Sequence, residues 1–66
     1  MTPRERAVLR GLGAGLSEEQ IAEQEHVGHR TVERTVRELK RKLEAPTLAV
    51  LALRARNLGL LEQATL

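Results

Sequence analysis

The sequence predicts an all-α fold in which four helices form a single domain over residues 1–66. Hydrophobic residues recur at spacings of three and four, and no segment alternates apolar with polar residues as a strand does. Thr2–Glu5 and Ser17–Gln20 each carry a capping-box pattern, a hydroxyl residue followed three positions later by Glu or Gln. The periodicity and the caps together favour helices over a sheet.

Pro, Gly and the capping residues mark where each helix begins and ends. Pro3 suits the first position of a helix, and the glycine-rich segment 11–15 should end it, with Gly15 free to adopt a positive φ. The second helix should stop near His26, where Val27-Gly28 forms a turn. The predicted helices cover residues 3–13, 17–26, 29–43 and 46–58, each within a residue or two.

The composition excludes several classes of protein. Without cysteine, disulfide frameworks and Cys-based zinc sites are impossible, and without aromatic residues the usual stacking platforms for single-stranded nucleic acids are missing. Two histidines, His26 and His29, make too small a set for a metal site, so we expect no metal and no cofactor. The chain offers no Ser-His-Asp set and no cysteine nucleophile, so we expect it not to be an enzyme.

The net charge of +2 conceals an uneven distribution along the chain. Residues 17–25 contain four Glu and no basic residue, whereas residues 30–42 contain six basic residues and two Glu. This arrangement directs a polyanionic partner to one region of the surface. We find no signal peptide and no apolar run long enough to span a bilayer, and therefore expect a cytoplasmic protein that does not contact membranes.

Two stripes of opposite character run along the third predicted helix. The first is apolar and should pack into the core, and it consists of Val32, Val36, Leu39 and Leu43. The second repeats the same spacing two residues earlier, about 200° around the helix axis, and consists of Arg30, Arg34, Arg37 and Arg41. Arginine grips phosphates and donates two bonds to guanine, and an α-helix fits the major groove of DNA.

A basic stripe also has a simpler explanation, since charged helix faces are usually only solvated. Partners are available at i,i+4, and the expected pairs are Arg34–Glu38, Glu38–Lys42 and Glu33–Arg37. The preceding segment favours DNA binding instead. A helix-turn-helix needs a small residue in its first helix and apolar residues at the turn and in the second helix, and Ala22, Val27 and Val32 meet that need.

The sequence resembles the LuxR/GerE-type helix-turn-helix domain of bacterial transcription regulators over nearly its whole length. The matching segments are Thr2–Arg10, Gly15–Ala22, Thr31-Val32 and Leu58–Leu61. The resemblance implies that the second and third helices bind double-stranded DNA and that the fourth mediates homodimer contact. It also implies that a regulatory domain, attached or separate, can accompany this one.

The resemblance places base contacts just after Thr31-Val32, on Glu33, Arg34 and Arg37. Arg34 and Arg37 suit guanine, and Glu33 can accept a hydrogen bond from cytosine N4. Phosphate contacts are implied for Ser17, Arg30, Thr31, and Lys40 or Arg41.

The chain departs from the family pattern at several positions. Glu25 stands where a Leu is usual, so that either the helix end turns it into solvent or an arginine neutralises it. Thr35 replaces a common His, and Gly28 replaces a capping Ser or Thr. Pro46-Thr47-Leu48 replaces a basic residue near the start of the fourth helix, which removes one phosphate anchor.

The fourth helix carries more apolar surface than a single core contact requires. One interpretation is that one face packs inward and the remaining apolar residues are ordinary exposed surface. The other is a two-fold dimer, which would place two recognition helices about 34 Å apart on successive major grooves. The predicted dimer residues are Leu48, Leu51, Ala52 and Ala55.

The predicted function is sequence-specific binding of double-stranded DNA by a homodimer in transcriptional regulation. A rival from another class is a helical protein-interaction module that keeps the fold without strong DNA binding, which the departures at Glu25 and Thr35 favour. A third possibility is a promoter-reading domain of the sigma-factor type.

Overall fold

The computed structural model describes residues 1–64, with side chains described as far as Gly59. Four α-helices make up most of this part of the chain, and it contains no strand. They are α1 (Pro3–Gly13), α2 (Glu18–Glu25), α3 (His29–Lys42) and α4 (Leu48–Ala64). The prediction of an all-α fold with four helices is therefore confirmed.

Both predicted capping boxes are present. At the start of α1, Oγ1 of Thr2 accepts from the N–H of Glu5 at 3.1 Å, and Oε1 of Glu5 accepts from the N–H of Thr2 at 2.8 Å. Ser17 and Gln20 make the same exchange at the start of α2, at 3.1 and 2.9 Å. These bonds satisfy amide groups that have no partner within the helix, and so define where each helix begins.

The turn between α2 and α3 comprises His26, Val27 and Gly28. His26 adopts the left-handed conformation, with φ 56° and ψ 42°, and the N–H of Val27 donates to the carbonyl of Ala22 at 3.0 Å. This arrangement turns the chain sharply out of α2. The left-handed His26 was not foreseen from the sequence, because glycine is the residue usually found there.

Buried residues from all four helices form one core. Its apolar members are Val8, Leu9, Leu12, Ile21, Ala22, Val32, Val36, Leu39, Ala45, Leu51 and Ala55. The predicted apolar stripe of α3 is buried at three positions, and its last member, Leu43, is half-buried against the core. α1 packs against each of the other helices, and α4 lies mainly along α1.

Glycines in α1 allow its neighbours to approach closely. A Cβ added at Gly11 would lie 2.6 Å from Cγ1 of Ile21, and one at Gly13 would lie 3.2 Å from the backbone of Ala55. Gly15, after the helix, has the predicted positive φ, at 87°. The glycine-rich segment therefore provides close helix packing and a tight connection.

α4 differs from its predicted boundaries of 46 and 58. The helix begins at Leu48, where Oγ1 of Thr47 accepts from the N–H of Val50 at 3.2 Å, and it continues through Gly59 to Ala64. Glycine costs about 1 kcal/mol relative to alanine inside a helix, which the strong helix-forming residues on both sides of Gly59 can offset. None of the described helices is long and apolar enough to cross a bilayer.

Candidate nucleic-acid interface

α3 presents opposite faces to the core and to solvent, as its sequence predicts. Val32, Val36 and Leu39 are buried under the neighbouring helices. The four arginines two positions earlier, Arg30, Arg34, Arg37 and Arg41, are all exposed. Because the apolar face packs α3 against α1 and α2, the arginines project from the opposite side of the helix towards solvent.

The ion pairs of α3 differ from the predicted i,i+4 pairs. Oε2 of Glu38 accepts from Nη2 of Arg41 at 2.8 Å, instead of pairing with Arg34 or Lys42. Oε1 of Glu33 lies 3.3 Å from Nδ1 of His29, away from Arg37. Exposed i,i+4 pairs contribute only about 0.2–0.5 kcal/mol, so small differences in geometry decide between neighbouring partners.

Three arginines of the stripe consequently keep their charge available. Within the part of the chain whose side chains are described, no carboxylate lies within 4 Å of Arg30, Arg34 or Arg37. Arg41 differs from them, because its bond to Glu38 raises the pKa of its guanidinium and lowers the pKa of the Glu38 carboxyl. The arginines without a described carboxylate partner therefore occupy the N-terminal and middle parts of α3.

The three residues predicted to contact bases lie together on α3. Glu33 and Arg34 are exposed neighbours, and Arg37 follows one turn later, also exposed. Thr35 does not share their surface, since its half-buried hydroxyl donates to the carbonyl of Thr31 at 2.8 Å. The common histidine of the family is thus replaced by a side chain bonded to its own helix.

The residues predicted to contact phosphate are more dispersed. Arg30 is exposed, whereas Thr31 and Lys40 are half-buried. Ser17 is exposed at the start of α2, where its hydroxyl oxygen already accepts from the N–H of Gln20. Arg41 is exposed, but its guanidinium is bonded to the carboxylate of Glu38. Of these residues, Arg30 is therefore the one that is both exposed and without a described hydrogen-bond or ion-pair partner.

Glu25 is exposed at the end of α2. Of the two environments considered for it, the structure has the first, in which the helix end turns the carboxylate into solvent. The substitution of a usual Leu by Glu therefore leaves no buried charge, and the packing of α2 relies on Ile21 and Ala22.

An ion pair that the sequence did not indicate joins α1 to the end of α3. Nζ of Lys42 donates to Oε2 of Glu5 at 2.7 Å, and the Glu5 side chain is 8% exposed. The bond from Lys42, followed by the backbone N–H of Thr2, lowers the pKa of Glu5 from 4.5 to about 2. Lys42 closes α3, so this pair holds the C-terminal end of the arginine-bearing helix against α1.

The residues predicted for a dimer surface occupy different environments on α4. Leu51 is fully buried and Ala55 is 6% exposed, both within the core of the monomer, so neither can form a surface between two copies. Ala52 is half-buried, and Leu48 is 39% exposed. Leu53, which the prediction omitted, is the most exposed leucine among the described side chains, at 58%.

A short turn joining two packed helices, the second of which carries its arginines outward, defines the chain as a helix-turn-helix protein. The family of bacterial regulatory proteins called luxR, or GerE, matches residues 1–55, and the chain belongs to this family. The chain is therefore a LuxR-type domain of DNA-binding regulation. No curated protein and no solved structure matches it.

Proposed function

We propose that this domain recognises specific sequences in double-stranded DNA, with α3 in the major groove, and acts in bacterial transcriptional regulation. The observation that carries the proposal is that Arg30, Arg34 and Arg37 are exposed without a described carboxylate partner, on the side of α3 opposite to the buried Val32, Val36 and Leu39. B-DNA has a major groove wide enough for one α-helix, and guanidinium groups both neutralise phosphates and read guanine.

The base-reading role belongs to Glu33, Arg34 and Arg37. Arg34 and Arg37 are exposed and have no described carboxylate partner, so each can donate two bonds to O6 and N7 of guanine. The carboxylate of Glu33 can accept from N4 of cytosine, for which it must leave the side chain of His29.

Phosphate contacts fix the position of α3 on the duplex. Arg30 supplies the most available charge, Ser17 adds a hydroxyl at the start of α2, and Thr31 adds a second hydroxyl. Lys40 or Arg41 contacts phosphate near the other end of the helix, and the bond between Arg41 and Glu38 favours Lys40 for this role.

Homodimerisation through α4 would place two copies of α3 on successive turns of one duplex. Leu48 and Ala52 form one i,i+4 pair on the outer part of α4, and Ala49 and Leu53 form the adjacent pair. The small alanines permit close approach of two helices. Of the predicted dimer residues, Leu51 and Ala55 are buried in the core of the single chain, so the proposal places the contact on more exposed residues of α4.

The test is selection of bound duplexes from a random pool, followed by titration of the selected duplex at several salt concentrations. We expect enrichment of a two-fold symmetric sequence with half-sites about 10 base pairs apart, and an affinity that falls steeply as salt rises. Absence of any enriched sequence, together with salt-independent binding, would contradict the proposal.

A second candidate function is that of a protein-interaction module with the same fold. The exposed carboxylates of α2 favour it, because Glu19, Glu23 and Glu25 would repel phosphates near the start of α3. The same selection experiment decides between the two functions, since a protein-interaction module yields no preferred duplex.

A further inference from the structure

The structure contains a groove that the DNA-binding face does not use. It lies between one side of α1, from Met1 to Ala14, and the segment 55–59 of α4, and no residue of α2 or α3 lines it. Its volume is about 720 Å³, which is large enough to hold several side chains. The groove therefore remains accessible when the arginine face of α3 is occupied.

Three arginines and an apolar floor define the chemistry of this groove. Arg6 and Arg10 are exposed on one wall, one helical turn apart on α1, and Arg56 is exposed on the opposite wall. Leu9 and Leu58 contribute apolar surface. None of the described lining residues is acidic, and no carboxylate among the described side chains pairs with the three arginines.

This arrangement leaves like charges close together. Arg6 and Arg10 stand at i,i+4, a spacing at which two positive side chains repel each other. Arg56 adds a third positive charge from across the groove. A partner that brings carboxylates relieves this repulsion, and apolar side chains beside those carboxylates can cover the leucines.

We propose that the groove between α1 and α4 docks an acidic amphipathic helix from a protein partner. The partner presents two carboxylates one turn apart, about 6 Å along its axis, which matches the spacing of Arg6 and Arg10. Leucine-like side chains on the same face enter the groove over Leu9 and Leu58. Ala14, which also lines the groove and is exposed, presents only a methyl group to the partner.

The first experiment is an NMR titration of the isotope-labelled 66-residue chain with a synthetic peptide of about 16 residues, long enough to form a helix. The peptide carries Glu at i,i+4 and Leu on the same face. Two control peptides replace every Glu by Lys or scramble the order of residues. We expect the amide signals of Arg10, Gly13 and Gly59 to shift with the acidic peptide alone.

The chain offers matched control variants on the same two helices. Arg4 and Arg54 are exposed but do not line the groove. We expect Arg10→Glu and Arg56→Glu each to weaken binding of the acidic peptide about tenfold, whereas Arg4→Glu and Arg54→Glu change it by less than about twofold. The lysine-bearing peptide should bind Arg10→Glu more tightly than it binds the parent chain.

Four results would overturn the proposal. They are equal binding of the three peptides, equal losses for groove and control variants, groove signals that respond to a duplex and to no peptide, and groove signals that shift with the concentration of the chain alone. The last would identify a second copy as the occupant. The comparison of peptides needs no variant, so a variant that fails to fold still leaves a decisive measurement.

The docking site is separable from the proposed DNA-binding function. A chain already saturated with its duplex should bind the acidic peptide with unchanged affinity, because α3 contributes nothing to the groove. If the chain binds no duplex, the peptide titration still tests the groove. If it binds duplex and no peptide, only the docking proposal fails.

Discussion

Arg34 and Arg37 have no described carboxylate partner because the two glutamates of α3 interact with other residues. Glu38 bonds Arg41 and Glu33 lies against His29, so the two central arginines of α3 face solvent without a described carboxylate partner. The sequence showed which residues are charged, but each glutamate had several arginines or lysines within reach. Only the side-chain geometry selects among them.

Replacement of individual basic residues should separate base contacts from phosphate contacts. Arg34→Ala should weaken binding to the selected duplex by about 1–3 kcal/mol and relax the preference at one base pair, because one bidentate contact is lost. Lys40→Ala should weaken binding to all duplexes alike and reduce the dependence on salt. Titrations of each variant with selected and unrelated duplexes measure both effects.

Equal losses on both duplexes for both variants would contradict this division of roles. Arg54→Ala serves as the control, since Arg54 is exposed on α4 and should leave either affinity unchanged.

The ion pair between Glu5 and Lys42 should make stability depend on pH. The pKa of Glu5 is lowered from 4.5 to about 2 in the folded chain, so the folded state favours the ionised carboxylate. The stabilisation is complete above the unfolded pKa and is lost as the pH falls through about 4.5 towards about 2. Thermal unfolding of the parent chain should therefore shift to lower temperature across this interval.

Glu5→Gln removes the ionised group and should flatten that dependence, while lowering the melting temperature near neutral pH. The matched control is Glu23→Gln, an exposed position on α2, which should keep the pH profile of the parent chain. Identical profiles for the parent chain and Glu5→Gln would show that the pair with Lys42 does not stabilise the fold.

Among the helices, α1 and α2 follow their local signals most closely. Each begins at a capping box whose two residues are three positions apart in the sequence. Such short-range bonds depend little on the rest of the fold. α4 departs from its signals. Gly59 was interpreted as a helix end, but it does not adopt the positive φ of a glycine that caps a helix, and it lies inside α4.

The contact between α1 and α2 depends on the absence of a side chain at Gly11. Gly11→Ala would place a Cβ 2.6 Å from the buried Ile21, so the core must shift. Overpacking of this kind costs about 1–3 kcal/mol, against a gain of about 1 kcal/mol in helix propensity. We expect a net loss of stability in chemical denaturation.

Gly28→Ala provides a comparison, since a Cβ at Gly28 meets no atom within 4 Å. This variant shows how stability changes when a glycine is replaced at a position where the added methyl group causes no overpacking. If Gly11→Ala is as stable as the parent chain, Ile21 can move without cost and the close contact is not required for the fold.

At the scale of the whole molecule, some leucines of α4 are buried in the core and others are exposed on the surface. Leu51 is fully buried in the core, whereas Leu53 is 58% exposed on another side of the same helix. Leu53→Glu should convert a dimer to a folded monomer, because it places a charge in the proposed surface between copies. Sedimentation measurements over a range of concentrations, with and without duplex, report the change.

Leu51→Ala is the contrasting variant, expected to destabilise the monomer by about 2–5 kcal/mol through loss of core packing. If the parent chain and Leu53→Glu sediment alike as monomers at every concentration, and alike on the duplex, then α4 does not mediate dimerisation.

The sequence alone was sufficient for the helical class, the two capping boxes, the core stripe of α3 and the arginine stripe opposite to it. These features depend on residues no more than about four positions apart, for which helix geometry alone decides which side chains share a face. Contacts between distant segments were decided by the tertiary structure. They include the pair Glu5–Lys42, the burial of Leu51 and Ala55, and the groove between α1 and α4. Helical periodicity says that a face is apolar, but only the packing of all four helices determines which faces the core covers.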